Sequence, residues 1–289
     1  MMTMKRQANV LTFDIEGFIE ASHDSMYVPP KYISQSEEAR EIEVNTTAIL
    51  ELLAQFDQKA TFFILGRIAR DMPGLIRTIA VAGHEIGCHS YEHRRLFHFS
   101  MDETKQFLAE AKSLLEGAGG QPVYGFRAPD FSITRSNLWA FDVLKELNFV
   151  YDSSVMPTQL HDVYGIGDFP RLPFVLPNGL VELPLSTIKI LNHNVPFGGG
   201  GYLRLYPLSV TRALFRMANR RGTPSIVYAH PFEMGKIVPR IHELSTLRKW
   251  RTYTGVYTAA DKLRSLLTSF SFMRAIDYVH DAQLVGSTR

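Results

Sequence analysis

The 289-residue chain has an ordinary globular composition, with 45% hydrophobic and 21% charged residues, and is long enough for one large domain or two small ones. Its 31 Lys and Arg residues against 29 Asp and Glu residues leave a formal charge of +2, which is too small to indicate nucleic-acid binding. No apolar run approaches the ~20 residues of a membrane-spanning helix. We therefore expect no transmembrane segment, and at most a transient contact with a membrane surface.

The compartment is predicted from the single cysteine and from the start of the chain. Cys88 cannot form an internal disulfide bond, which fits a reducing compartment. The chain reaches Asp14 and Glu16 before any apolar run long enough for a signal peptide. We therefore predict a cytoplasmic location. Cys88 itself, between Gly87 and His89, is interpreted as a small buried residue rather than a nucleophile.

Short β-rich runs alternate with amphipathic segments along most of the chain, and this order predicts an α/β fold. The first predicted strand covers residues 9–15 and the second covers residues 60–66. Between them, Ile42, Ile49 and Leu53 recur at spacings that place them on one face of a helix. This face is expected to pack on the sheet.

The later elements continue the alternation. Helices are predicted to begin near Pro73 and near Ser100, where Ser100 and Glu103 have the S-x-x-E spacing of a capping box. The later predicted strands are, in chain order, HEIGCHS, YGFRAP, FVYDSS, GLVELPL and SIVYAHP. About seven such strands favour a closed barrel. A doubly wound open sheet is the alternative, but neither GxGxxG nor a P-loop follows the first strand.

Two regions depart from this alternation. Residues 155–201 are rich in Pro and Gly and are predicted to form a functional loop. Its glycine run, Gly198 to Gly201, either allows close approach to a ligand or acts as a hinge. Residues from about 240 to 280 are predicted to add one helix and one strand.

Polar residues stand in three clusters at the ends of predicted strands. Asp14 and Glu16 are two residues apart and point to the same face of a strand, and His230 follows the run SIVYA. His89 and His93 are four apart, so a helical turn or tight loop directs both imidazoles at one point. Parallel strand ends share one rim of a barrel, which predicts a two-His, one-carboxylate site of the kind used by zinc hydrolases. The alternatives are surface histidines, charges capping a strand end, and a core histidine at position 230.

These motifs resemble those of a known family. TFDIEG, KATFFILGRIA, GHEIGCHSYEH, YGFRAPDFSI, FVYDSS and IVYAHPFE occur in the order and approximate spacing of the polysaccharide deacetylase family, carbohydrate esterase family four. The match spans about residues 9–235. The segments VPFGGGGYLRLYP and LRKWRTYTGVYTAADKLRSLL resemble a subfamily associated with bacterial exopolysaccharide and O-antigen gene clusters.

The resemblance implies a fold and an activity. The fold is a distorted (β/α)-barrel of about seven strands, in one domain over residues 1–289 with a helix and strand extension at about 240–280. The activity is metal-dependent hydrolysis of the N-acetyl group of an amino sugar, with an N-acetylated sugar or glycan as the partner. We expect this activity to serve the biosynthesis of a bacterial surface polysaccharide, either an O-antigen or an exopolysaccharide.

The resemblance also implies the catalytic residues. Asp14 resembles the aspartate that activates water, and Arg127 resembles the arginine that orients this base. His230 resembles the histidine that protonates the leaving amine, and Asp152 lies near the motif whose acid orients that histidine. The alternative for Arg127 is a structural ion pair.

The metal ligands are implied with one departure from the family pattern. His89 and His93 resemble the two metal-binding histidines. The family usually has adjacent aspartates in TFDD, but this chain has Ile15 in the second position and an acid one step later, Glu16. We therefore expect Glu16 as the third ligand of one divalent metal, Zn²⁺, with nickel, cobalt and iron as alternatives.

Substrate contacts are expected from two segments. The common R-x-P-Y motif reads RAPDF, so the aromatic residue comes one position late, at Phe131. The peptide N–H of Asp130 resembles the donor that receives the oxyanion, and Pro129 belongs to the same motif or is only a strand stop. Gly200 and Tyr202 of the glycine loop are further candidates for substrate binding.

Two other functions remain open from the sequence. Metal-assisted hydrolysis also serves other C–N amide bonds, such as those of a formamide, a cyclic imide or a ureide. The Glu16 departure is also compatible with a catalytically inactive barrel that binds carbohydrate.

Overall fold

A computed structural model describes residues 9–26, 33–159 and 165–284. The strands are β1 (Asn9–Ile15), β2 (Thr61–Ile64), β3 (Glu85–Cys88), β4 (Gly125–Phe126), β5 (Tyr151–Asp152), β6 (Phe174–Val175), β7 (Val181–Glu182), β8 (Thr187–Ile190), β9 (His193–Pro196), β10 (Ile226–Ala229) and β11 (Phe272–Met273). The helices are α1 (Phe18–Met26), α2 (Gln35–Gln55), α3 (Gly66–Asp71), α4 (Pro73–Val81), α5 (Met101–Gly119), α6 (Ala140–Glu146), α7 (Gly200–Leu205), α8 (Leu208–Arg220), α9 (Pro231–Met234), α10 (Thr246–Tyr253), α11 (Val256–Ser269) and α12 (Ala275–Asp281).

One curled sheet forms the centre of the fold. Its parallel strands follow the order β10, β1, β2, β3, β4, β5, β7, with β6 antiparallel at the β7 edge and β11 paired to β1. Between β7 and β10 the described residues form no strand ladder. There the Ser186 hydroxyl accepts a hydrogen bond from the Ile226 N–H, and the Tyr228 N–H donates to the Gly198 carbonyl. The predicted distorted (β/α)-barrel of about seven strands is thus confirmed.

The central strand β1 fixes the geometry of the sheet. All seven of its residues are buried, as expected for a parallel strand that is covered on both faces. Phe13 pairs in register with Phe62 of β2 and Ala229 of β10. The next residue, Asp14, is therefore held at the carboxyl end of the sheet between two neighbouring strands.

The helices begin and pack largely as the sequence predicts. Helix α2 buries Ile42, Ile49 and Leu53 on one face, and α4 begins at Pro73. Helix α5 begins after Ser100, which forms the predicted capping box with Glu103. These helices cover the sheet and bury its apolar side chains in one large core.

The C-terminal region differs from its prediction. Residues 240–280 contain the three helices α10, α11 and α12 besides the strand β11, rather than one helix and one strand. Helix α10 escapes the pattern analysis because Thr252 is its only buried residue, so its sequence lacks an apolar stripe. In the part of the chain that the structure describes, no helix is long and apolar enough to cross a membrane.

The long irregular region also contains regular pieces. It includes α7 and the two-stranded antiparallel sheet of β8 and β9. Residues 160–164 of the predicted loop lie outside the described residues, as do residues 1–8 of the segment used for the signal-peptide prediction. Within the glycine run, Gly199 forms an isolated β-bridge with Tyr228, and Gly200 and Gly201 begin α7.

A buried carboxyl group joins the strand ends opposite the polar rim. Glu85 accepts hydrogen bonds from the Tyr151 hydroxyl at 2.8 Å, the Thr61 hydroxyl at 2.6 Å and the Ile276 N–H at 3.1 Å. Burial raises the pKa of Glu85 to about 7 despite these donors. The folded protein therefore holds a proton on Glu85 in a pH range where the unfolded chain has lost it.

We predict that this group makes the stability depend on pH. Between about pH 4.5 and 7 the folded state binds more protons than the unfolded state, so the free energy of unfolding falls as pH rises. Glu85→Gln removes this titration, and relative to the variant the wild type should lose on the order of 2 kcal/mol across this range. Urea unfolding at several pH values measures the difference. Glu110→Gln, at an exposed position of α5, should follow the wild type. Parallel curves for the wild type and Glu85→Gln would contradict the prediction.

Candidate active site

The carboxyl ends of β1, β3 and β10 surround a cavity of about 240 Å³. Eight of the residues singled out from the sequence line it: Asp14, Glu16, His89, His93, Asp130, Phe131, Tyr202 and His230. The three predicted polar clusters therefore meet on one rim. Asp14 and Glu16 face the same cavity, as their spacing on β1 indicates.

Glu16 lies between the two histidines. Its Oε2 atom is 2.7 Å from His93 Nε2 and 3.4 Å from His89 Nε2. One ligand atom from each of the three residues lies within 4.8 Å of the others. The Oε2 atom is fully buried but meets no partner at good hydrogen-bond geometry among the described residues. The acid at position 16 thus reaches both histidines, and the three side chains together could hold a metal ion.

The residues of this cluster shift one another's pKa values. Burial opposes ionisation of Glu16, but the charge of His93, contacts with both imidazoles and the charge of His230 bring its pKa well below the ordinary value. Burial likewise opposes the charge on His93, but the Glu16 carboxylate raises the pKa of His93 to about 10. A buried carboxylate therefore stands among imidazoles, and a cation is the natural partner of such a set.

The orientation of His89 suits metal binding. Its Nδ1 atom donates to the Arg127 carbonyl oxygen at 2.8 Å, which leaves the Nε2 lone pair directed at the cluster. The loop to His93 turns at Ser90, which has a φ of 73° in the left-handed region. The Ser90 carbonyl accepts a hydrogen bond from the Gly66 N–H, which ties the loop to α3.

Asp14 is held by a buried arginine. Arg127 Nη1 donates to Asp14 Oδ1 and to the Thr12 hydroxyl, both at 2.7 Å. Its Nη2 and Nε donate to the side chain and carbonyl of Ser153 at 2.9 and 3.1 Å. Arg127 is fully buried and does not line the cavity. It therefore acts on Asp14 and not directly on a ligand.

His230 is held by a residue that the sequence analysis missed. Its Nδ1 lies 3.0 Å from Glu233 Oε2, and Arg204 Nε lies 2.7 Å from the other carboxylate oxygen of Glu233. Burial opposes the charge on His230, but the contact with Glu233 raises its pKa to about 9, with further contributions from Glu16 and Asp14. His230 Nε2 remains directed toward the cluster, 3.3 Å from Glu16 Oε1.

The assignment of Asp152 as the partner of His230 is therefore corrected. Asp152 accepts hydrogen bonds from the hydroxyl and N–H of Ser154 at 2.6 and 3.0 Å. Its carboxyl group also contacts that of Glu182, whose pKa burial and the Asp152 charge raise far above the usual range. Burial thus favours the protonated form of Glu182 beside Asp152, and the Ser154 hydroxyl also accepts a hydrogen bond from the Ala128 N–H.

Of the RAPDF segment, Asp130 and Phe131 line the cavity, but Pro129 does not. Asp130 and Phe131 have φ values of 49° and 51°, a left-handed pair that turns both side chains toward the cavity. Asp130 Oδ2 accepts from Arg95 Nε at 2.8 Å, and the Phe131 ring lies 4.9 Å from the Tyr228 ring. Pro129 is buried behind this turn and does not line the cavity.

Gly200 is also placed differently from its prediction as a substrate residue. A Cβ atom at this position would lie 1.8 Å from Glu233 Oε2. The glycine therefore leaves room for the carboxylate that holds His230, and it does not line the cavity. Tyr202, two residues later on α7, does line the cavity.

Gly201 of the predicted glycine run also lines the cavity. Several other lining residues were not singled out from the sequence: Ala21, Ala128, Arg204, Leu205, Tyr228, Arg251, Phe232 and Glu233. A local signal existed for Glu233. In HPFE, His230 and Glu233 have the N-cap to N3 spacing of a capping box, with Pro at the first helical position, and the His230 N–H donates to Glu233 Oε2 at 3.0 Å. Arg204 and Arg251 are brought to the cavity only by the packing of α7 and α10.

The free thiol of Cys88 is buried and its pKa is raised to about 12, which agrees with a core residue.

Comparison with protein families matches the chain in two parts. The Polysaccharide deacetylase family matches residues 4–150, and a domain of unknown function, DUF3473, matches residues 153–280. The first match contains all three residues of the Glu16 cluster, and the second contains His230 and Glu233.

Two curated relatives share shorter stretches with the chain. A peptidoglycan-N-acetylglucosamine deacetylase of Bacillus cereus is 35% identical over 96 residues, which are 33% of this chain and 35% of the relative. A chitooligosaccharide deacetylase of Azorhizobium caulinodans is 32% identical over 104 residues, which are 36% of this chain and 47% of the relative. The aligned stretches thus span about a third to a half of these relatives.

Solved structures share the fold over nearly the whole chain. A candidate polysaccharide deacetylase from Mycobacterium smegmatis superposes with a TM-score of 0.65 at 23% identity, covering 98% of this chain and 91% of that protein. The allantoinase PuuE superposes with a TM-score of 0.62 at 16% identity, covering 97% and 92%. Because the family match covers just over half of the sequence, from β1 through the Glu16 cluster to the start of β5, the chain belongs to the polysaccharide deacetylase family.

Proposed function

We propose that the protein hydrolyses the N-acetyl group of an amino sugar. The observation that carries this proposal is the convergence of Glu16, His89 and His93 on the cavity that also contains Asp14 and His230. A metal-binding triad, a base and an acid are the groups that amide hydrolysis requires. The relatives, which deacetylate peptidoglycan N-acetylglucosamine and chitooligosaccharides, supply the substrate class.

The donor set of the triad fits a divalent cation. Two imidazole nitrogens and a carboxylate oxygen suit zinc and leave coordination positions open. The unsatisfied Glu16 Oε2 atom is the observation that supports a cation at this place. When bound, the cation would polarise the substrate carbonyl and make water more acidic. We propose Zn²⁺ as this cation.

The protein's own residues then carry the protons. Asp14 accepts a proton from the attacking water, and Arg127, 2.7 Å away, keeps the Asp14 carboxylate oriented. His230, whose pKa is raised to about 9, enters the reaction protonated and donates this proton to the departing nitrogen. The C–N bond of the acetamide breaks, and acetate and the free amine leave. The peptide N–H of Asp130 remains the proposed donor to the oxyanion.

The cavity lining is compatible with a sugar. The aromatic rings of Phe131, Tyr202, Tyr228 and Phe232 line it beside the carboxylates. Such rings pack against the apolar faces of sugar rings, while charged groups bind the hydroxyls. We further propose an N-acetylated intermediate of bacterial surface polysaccharide biosynthesis as the substrate, and the cytoplasm as the location, because the chain's single cysteine is unpaired.

A catalytically inactive carbohydrate-binding barrel is the competing hypothesis. It was raised by the missing second aspartate of the family motif, but Glu16 reaches both histidines from one position later. Acetate release separates the two hypotheses. The purified protein, loaded in turn with zinc, cobalt and nickel, is incubated with N-acetylglucosamine oligomers, and free acetate is measured. No release with any metal would favour the binding protein, and release from a ureide or formamide instead would redirect the substrate class.

We predict one equivalent of divalent metal, bound through the triad. His93→Ala should reduce the zinc retained after dialysis at least tenfold, because the variant lacks one of three protein ligands. Inductively coupled plasma mass spectrometry measures the metal content. His193→Ala removes an exposed imidazole on β9 and should retain the full equivalent. Full zinc retention by His93→Ala would reject this site.

We predict that Asp14→Asn keeps the fold and the metal but loses turnover by about 10²–10⁴, the usual contribution of a general base. The amide is nearly the same size as the carboxylate and can still accept from Arg127, so near-native circular dichroism and metal content are expected. Asp261→Asn, at an exposed position of α11, is the matched control with wild-type turnover. A decrease smaller than tenfold would mean that another group accepts the proton.

We predict that His230→Ala suppresses deacetylation with metal content unchanged. The loss should be milder for an activated aryl acetate, because its leaving group departs without protonation. The ratio of turnover on the two substrates therefore reports proton donation. An equal loss on both substrates would instead assign His230 to substrate positioning.

A further inference from the structure

Helix α10 stands at the mouth of the cavity in a fixed position. Arg251 of α10 lines the cavity together with Leu205 of α7. Arg204 Nη1 donates to the carbonyl oxygens of Thr252 and Thr254 at 2.7 and 3.2 Å, while its Nε pairs with Glu233. The end of α10 is therefore bonded to the same arginine that holds the partner of His230.

The outer face of α10 is apolar and exposed. Leu247 is 74% exposed and Trp250 is 57% exposed. These two side chains are three positions apart, and Arg251 is four positions from Leu247, so all three lie on one side of the helix. Thr252 alone is buried, on the other side. Arg248 and Lys249 lie on the flanks of the exposed side, each about 100° around the helix from Leu247 and Trp250 respectively. We call Leu247, Arg248, Lys249, Trp250 and Arg251 the α10 strip.

The strip carries only positive charge. Arg248, Lys249 and Arg251 occur within the eight residues Thr246–Tyr253, and no acidic residue occurs in this helix. The net charge of the whole chain is only +2, so this is a local concentration of cations. A helix that exposes Leu and Trp beside Lys and Arg is typical of proteins that lie on an anionic membrane surface.

We propose that the α10 strip docks on an anionic lipid bilayer, so that the cavity takes an N-acetylated sugar attached to a membrane lipid. The part that concerns the sugar rests on the proposed deacetylase function. Leu247 and Trp250 enter the interface between headgroups and acyl chains, and the positive charge of the basic residues attracts the anionic lipid phosphates. Because Arg251 belongs both to the strip and to the cavity lining, the mouth of the cavity would face the bilayer surface.

A soluble glycan chain fits the strip less well. Tryptophan stacks on sugar rings, but sugar hydroxyls are normally bound by planar polar side chains, and the strip offers no carboxylate or amide. Leu247, the more exposed of the two apolar residues, has no polar atom with which to bind a hydroxyl. Burial of both side chains in the bilayer interface removes this apolar surface from water.

Vesicle binding tests the proposal without reference to catalysis. Sedimentation with phosphatidylcholine vesicles containing 30% phosphatidylglycerol should show binding that weakens as salt is raised, and binding to pure phosphatidylcholine should be at least tenfold weaker. The double variant Leu247→Ser/Trp250→Ser should lose at least tenfold in affinity, and Arg248→Gln/Lys249→Gln should lose the preference for the anionic lipid. Val81→Ser/Leu191→Ser, which removes two apolar side chains elsewhere that are even more exposed, is the matched control and should bind as the wild type does.

Three outcomes would overturn the docking proposal. The first is equal binding of the wild type to both kinds of vesicle or to neither. The second is a double variant that binds vesicles like the wild type but loses affinity for soluble N-acetylglucosamine oligomers, which would make the strip a glycan platform. The third is a double variant that changes only the oligomeric state, which would make the strip a contact between copies of this chain.

Deacetylation assays on a soluble and on a lipid-linked substrate distinguish the membrane-docking proposal from the proposed deacetylase function. On a soluble N-acetylated oligosaccharide, the double variant should match the wild type, because Leu247 and Trp250 do not line the cavity. On an N-acetylated glycolipid in anionic vesicles, kcat/KM should fall at least tenfold. Vesicle binding without acetate release from either substrate would support docking and reject the deacetylase. Equal activity of both proteins on the glycolipid would reject the lipid-linked substrate and leave the deacetylase in place.

Discussion

The side chain of Arg127 connects the parts of the site that the chain supplies separately. Its guanidinium contacts Asp14 and Thr12 of β1 and Ser153 beyond β5, and its carbonyl oxygen accepts from His89 beyond β3. An unpaired guanidinium in a fully buried position would be strongly unfavourable, so these partners must all be present when the barrel forms. Arg127 thus contacts both the proposed base, through its side chain, and a proposed metal ligand, through its backbone carbonyl oxygen.

The remaining buried charges follow the same rule of pairing. Glu233 is held between Arg204 and His230, and its pKa falls to about 2 because the charges of these partners outweigh burial. The Glu16 cluster differs, because its carboxylate has imidazoles as its neighbours and one oxygen without a hydrogen bond of good geometry. Glu233 already faces a guanidinium, although Arg204 Nε also lacks a hydrogen bond of good geometry, whereas Glu16 has imidazoles as its neighbours. We propose that a cation completes the set of Glu16, His89 and His93.

The mouth of the cavity links the chemistry to its proposed setting. Arg204 bonds the carbonyls at the end of α10 and also pairs with Glu233, so the helix that faces outward shares a support with the histidine that faces inward. In the docking proposal, a membrane-attached sugar would therefore enter the cavity beside the residues that hold His230.

The sequence by itself determined that the parallel strand ends share one rim, the apolar face of α2, the capping box at the start of α5, and the candidate triad of Glu16, His89 and His93. These features are local, because strand ends meet in a parallel barrel whatever the details of the loops, and residues two or four apart share a face. Only the tertiary structure decided that Glu233 rather than Asp152 holds His230, and that Gly200 leaves space for Glu233 instead of binding substrate. The contact between Glu233 and His230 lies within one turn of α9, so the capping-box spacing of HPFE carried a local signal for it. The approach of Gly200 to Glu233, in contrast, depends on how α7 and α9 pack, and no periodicity in the chain encodes it.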